Sequence, residues 1–140
     1  MAWSEKLVHM AGATGAWAAL SALCRIVLGE AYLFQWMVHN WRVPLVLWLA
    51  ALALILAGRP IPAWALTAGH GAGLFLGQYL GDWLLARSTA QIAPDLEAGM
   101  RAQLMTHMGF PIWLVVLLAA LIAGAAISRL RRGRGREETA

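Results

Sequence analysis

An all-α integral membrane bundle of about four transmembrane helices is the fold class this sequence predicts, on three observations. Residues are 61% hydrophobic and only 13% charged, against roughly half and about a quarter in an ordinary soluble domain. Mean hydropathy is +0.64. Four long stretches are almost free of charge, and the basic residues gather between them and after the last one. A soluble core of this size needs polar residues along every helix to form its outer face, and these stretches lack them.

The first span runs over about 7–24, broken in polarity only by His9, Thr14 and Ser21, and stops where Arg25 arrives. Gly12, Ala16, Ala19 and Ala22 leave it room for close packing. It carries no persuasive cleavage signal and is expected to be retained. Between Arg25 and Arg42 the chain is apolar but dotted with Glu30, Gln35, His39 and Asn40 and carries Tyr32, Trp36 and Trp41. Aromatic rings with polar edges favour the headgroup region, so much of this segment is expected at the interface.

The second span covers about 41–57, with Pro44 in its first turn, where a missing N–H breaks no helical bond. Gly58-Arg59-Pro60-Ile61-Pro62 then predicts a tight turn, because glycine accepts a left-handed cap and proline cannot continue the preceding helix. The third span, about 63–86, returns antiparallel to the second. From Pro94 to Met108, Leu96, Met100, Leu104 and Met108 recur every four residues, with Glu97 and Arg101 at i,i+4. That pattern predicts an amphipathic surface helix. The fourth span covers about 109–127, and residues 1–128 form one membrane domain. A basic tail, 129–140, holds Arg129, Arg131, Arg132, Arg134 and Arg136 and is expected to be disordered.

The formal charge of +4 and pI near 10.2 come largely from this tail. Beside a membrane helix, such a cluster sets topology and attracts anionic lipid headgroups, so nucleic acid is not the expected partner. With both termini cytoplasmic, Lys6, Arg59 and the tail arginines lie inside, and Arg25, Arg42, Arg87 and Arg101 outside. This is the arrangement that the excess of internal basic residues favours. Abundant alanine, glycine, arginine and tryptophan suggest a GC-rich bacterial genome and hence a plasma-membrane location.

Gly69, Gly73, Gly77 and Gly81 are spaced by four along the third span. In lipid, helices associate through close backbone approach, and a glycine stripe permits it. The stripe is therefore expected to pack helices, either inside the bundle or between copies of a homo-oligomer. Glu30, His70 and Asp82 are the polar points from which a path through the membrane would be built. His70 and Asp82 lie twelve residues apart on one helix, about 18 Å along its axis and about 120° around it, so they cannot form one site unaided. Toward the outer side, Asp82 is joined by His39 and His107.

Neither a nucleophile elbow, a HExxH pair, a phosphate loop nor a dinucleotide fingerprint is present. The one cysteine, Cys24, and the four histidines fall in no zinc-ligand spacing. No enzyme activity, cofactor or resident metal is expected. In size, span number and the acidic Glu30 the chain resembles small multidrug exporters, and in its short basic tail it resembles phage holins; neither resemblance reaches a motif. The leading expectation is a non-enzymatic packing, oligomerising or accessory component of a larger membrane assembly. A small oligomeric transporter or channel is the alternative, and a holin-like pore former the third reading.

Overall fold

The computed structural model describes residues 1–90, 92 and 96–137, with side chains through 132. The described residues form six helices and no strand. These are α1 (Trp3–Val27), α2 (Tyr32–His39), α3 (Arg42–Leu56), α4 (Pro60–Thr89), α5 (Ala98–Leu104) and α6 (Gly109–Glu137).

Helix α4 is the centre. Its buried residues run almost its whole length, from Pro62 to Gly81, whereas α1 buries only Ala13, Trp17 and Cys24. All the other helices pack on α4, and its most extensive partner is α6. At 30 residues it is about 45 Å long, more than the roughly 30 Å of a hydrocarbon core.

By length and apolarity alone, two helical stretches qualify as membrane spans: Trp3–Val27, and the stretch that contains α6. Helix α4 does not qualify, and its surroundings give the reason. One face of α4 is covered by the other helices, and that face can carry glycine and hydrogen-bonded polar groups, which lower the helix's mean apolarity.

The second expected span, 41–57, coincides with α3, which by itself does not qualify as a membrane span. Helix α3 has 15 residues, about 22 Å, too short to cross alone. Helix α2 precedes it at a bend of 78°, and the break falls at Asn40 and Trp41, where Asn40 Nδ2 donates back to the Trp36 carbonyl at 2.9 Å. Helix α2 buries Leu33 and Met37 against the bundle. Between α3 and α4 the turn is as expected. Gly58 has φ +73°, and Arg59 N–H donates to the Leu54 carbonyl at 2.8 Å, the long bond of a Schellman cap. Pro60 then opens α4.

The amphipathic helix expected over 94–108 is shorter: α5 has seven residues and no buried side chain, while Pro94 and Asp95 lie outside the described residues. Where a disordered tail was expected from 129, α6 continues to Glu137. Arginine is a good helix former, and a backbone already helical through Ile127 extends at little cost. Residues 138–140 lie outside the described residues.

Polarity is inverted relative to a water-soluble bundle. Val8, Val46, Val115 and Ile122, on the outer faces of α1, α3 and α6, are 61–70% exposed, whereas His70, Gln78 and Thr67 on α4 are 3–5% exposed.

Candidate functional site

The glycine stripe of α4 faces α6 within the same chain. A methyl group on Gly69 would lie 2.5 Å from the Ala120 Cβ, on Gly73 2.8 Å from Trp113 Cδ1, on Gly77 2.6 Å from the Gly109 carbonyl oxygen, and on Gly81 2.9 Å from the Gly109 nitrogen. Contacts below about 3 Å are not tolerated, so each of these glycines is needed for the two backbones to approach this closely. The other wall contributes Gly124, whose added Cβ would meet the Ala65 Cβ at 2.5 Å. The partners run antiparallel, Gly81 beside Gly109 at one end and Ala65 beside Gly124 at the other.

Two polar groupings sit on α4, one near its middle and one toward its C-terminal end. At the middle, the His70 ring stacks on Trp17, with centroids 4.5 Å apart and planes at 17°, and meets the Trp113 ring edge-on at 6.0 Å. Trp113 Nε1–H donates to His70 Nδ1 at 3.3 Å. Because indole is only a donor, Nδ1 must hold a lone pair, and the imidazole proton is on Nε2. Trp17 Nε1–H donates to Thr67 Oγ1 at 3.1 Å, and that hydroxyl donates to the Ala63 carbonyl at 3.1 Å. Replacing Trp113 with Phe keeps the ring and removes the donor. It is expected to lower the stability of the purified protein by about 1 kcal/mol, read as a lower melting temperature in detergent, while Trp113→Ala costs several times more.

Toward the C-terminal end, the buried Gln78 accepts from the Leu33 backbone N–H at 2.8 Å and donates to both Asp82 carboxylate oxygens, at 2.9 and 2.8 Å. His107 Nε2 lies 3.0 Å from Asp82 Oδ1. Gly109 N–H donates to His107 Nδ1 at 3.0 Å, so Nε2 carries the proton and donates to Asp82. Tyr32 packs its ring on His107 at 4.4 Å. One chain of bonds thus ties the first turn of α2 and the start of α6 to α4, satisfying N–H groups that helix beginnings leave unpaired. No nucleophile takes part in it.

The other sequence candidates lie apart. Glu30 is exposed in the link between α1 and α2, and neither grouping includes it. His39 Nδ1 bonds the Gln35 carbonyl one turn back, and no other described residue. His70 and Asp82 therefore belong to separate groupings, and Glu30 joins neither. Arg129 and Arg131 are exposed on α6, and Arg132 Nη2 donates to Ser128 Oγ at 3.1 Å; the side chains of Arg134 and Arg136 lie outside those described. Among the described residues no group of three or more His, Cys, Asp or Glu is placed to hold a metal ion.

Sequence reasoning did not identify Gln78 as a bridge, nor Trp17 and Trp113 as partners of His70. One signal was available: Trp17 stands mid-span, where an indole N–H needs a buried acceptor. No family model, curated protein or solved structure matches the chain.

Proposed function

We propose that the chain is a small polytopic protein of a bacterial plasma membrane, in which α1, the bent α2–α3 pair, α4 and α6 make four passes. It works without catalysis, as a packed accessory component of a larger membrane assembly. The observation that carries this reading is the inverted polarity: apolar side chains such as Val46, Val115 and Ile122 point outward while His70, Gln78 and Thr67 point inward. Water would penalise such a surface; lipid, or the apolar face of another membrane protein, would not. Because α6 occupies the glycine stripe, a partner subunit or protein meets the outer faces of α1, α3 and α6.

The ends of the bundle support the orientation. Lys6 Nζ donates to the Leu56 carbonyl at 2.7 Å, and Gly124 lies beside Pro62, so Lys6, Arg59 and the start of the basic segment share one end. On the excess of basic residues this end faces the cytoplasm, and the arginines beyond Ile127 meet anionic headgroups. A transport path would need its polar points joined, and Glu30, His70 and Asp82 stand apart, which favours the accessory reading over a transporter or pore.

Topology is tested with single cysteines at Glu30, Arg59 and Thr106, in a background carrying Cys24→Ala, treated with a membrane-impermeant maleimide on intact cells. Labelling is expected at positions 30 and 106, and at 59 only after permeabilisation. Equal access at 30 and 59 would show that the α2–α3 pair turns back without crossing.

A further inference from the structure

We propose that the cavity between α1, α2 and α4 binds a lipid-soluble quinone, whose ring carbonyl accepts a hydrogen bond from His70 Nε2. The cavity has a volume of about 510 Å³ and is lined by His70, Arg25, Phe34, Met37 and Trp41 among others, a size typical of small-molecule sites. His70 is 4% exposed, and its Nδ1 is occupied by Trp113. Its Nε2–H has no partner among the described residues, yet no side-chain nitrogen or oxygen is both fully buried and unpaired. Nε2–H is therefore accessible, and the cavity is a space that His70 lines.

The direction of that bond selects the ligand. A haem iron or other metal needs the Nε2 lone pair, which would place the imidazole proton on Nδ1, opposite the Trp113 N–H, donor against donor. An acyl chain gives the proton no acceptor. A fatty-acid carboxylate would seek the cation of Arg25, which has no salt-bridge partner among the described residues and lies two turns beyond Trp17 on α1, about 12 Å along the axis. That choice would leave the alkyl chain against His70. A neutral ring with carbonyls on opposite sides meets both demands: one carbonyl accepts from His70, the other faces the Arg25 end, and the flat ring lies among Phe34, Trp41 and Met37. Its isoprenoid chain leaves toward lipid. The proposal is of binding, and it rests on the membrane reading only in needing a lipid-soluble ligand.

The test is equilibrium binding of a radiolabelled decyl-substituted benzoquinone to the purified full-length chain in detergent, with decanoate as competitor. Saturable one-to-one binding is expected, weakened about tenfold or more by His70→Phe and abolished by Ala22→Trp, which fills the cavity from its exposed rim. Decanoate is expected not to displace the quinone. The proposal is overturned if the folded wild type shows no saturable binding, if a folded His70→Phe or Ala22→Trp binds as wild type does, or if decanoate displaces the quinone in full. Should His70→Phe fail to fold, Ala22→Trp alone decides, because Ala22 lies outside the packed core. The topology labelling distinguishes a failure here from a failure of the four-pass reading.

Discussion

Gly77→Ile is expected to prevent the purified chain from holding its fold, with a loss of more than about 3 kcal/mol. The first added carbon would lie 2.6 Å from the Gly109 carbonyl oxygen, 2.8 Å from Leu33 Cδ2 and 3.3 Å from Trp113 Cβ. Leu33 has rotamers to spare, but a backbone oxygen at the start of α6 moves only if the helix moves, and α6 is held along its length by Gly69, Gly73 and Gly81 as well. Separating the helices enough for a β-branched side chain would open gaps at every other contact in the seam. Gly73→Ile is expected to behave similarly, since Trp113 crowds it from side chain and backbone. Gly15, on the outer face of α1, has nothing within 4 Å of an added Cβ, so Gly15→Ile is expected to change stability by less than about 1 kcal/mol. The measurement is the fraction of soluble, monodisperse protein after graded heating in detergent. Equal tolerance at positions 15 and 77 would sink the packing account.

Gln78→Leu is expected to cost about 1–3 kcal/mol, although leucine matches glutamine closely in size and is more apolar. The loss comes from what is left behind. Leu33, whose side chain is fully buried, loses the acceptor for its backbone N–H, and the two carboxylate oxygens of Asp82 lose a shared donor. An orphaned buried backbone donor costs about 1–3 kcal/mol, whereas Asp82, whose side chain is 55% exposed, turns to water and adds little. The effect should be local, loosening α2 from α4 before the bundle as a whole. Hydrogen exchange is the appropriate readout: amides of residues 32–39 are expected to exchange faster in Gln78→Leu, while those in the middle of α4 change less. Gln78→Glu keeps an acceptor for Leu33 but loses the donor to Asp82 and sets two carboxyl groups side by side, so it is expected to destabilise as well. Uniform exchange across the whole chain would contradict a local role for Gln78.

These two residues also show what the sequence made legible. The glycine spacing was readable because its cause is local: four residues are about one turn, so the stripe exists on any α-helix this segment forms. Its partner was not readable, because nothing in the spacing says whether the second backbone comes from α6 or from another copy. Gln78 looked like one polar residue among several, since the donor it serves is a main-chain N–H 45 positions away. His70 was visible as an ionisable group at depth, but its indole partners come from α1 and α6. The turn at Gly58 was legible because its chemistry lies within five residues. The boundary between α2 and α3 was legible in the polar His39, Asn40 and Arg42, but the 78° bend was not, since its angle is set by what each helix packs against. Helix α4 shows the limit of hydropathy most clearly: the helix with the most buried length is not apolar enough to be counted as a span.

The central claim is that α4 is held inside the chain's own bundle by an antiparallel glycine seam with α6. An added Cβ on Gly69 would lie 3.5 Å from Leu117 Cα, which places the two Cα atoms within the span a disulfide bridges. The direct measurement is therefore oxidation of a chain carrying Gly69→Cys and Leu117→Cys, with Ala120→Gly to make room and Cys24→Ala to remove the native thiol. The account predicts a monomeric species with no free thiol after oxidation, bridged within one chain. A disulfide-linked dimer, or two thiols that stay free in the folded protein, would contradict it.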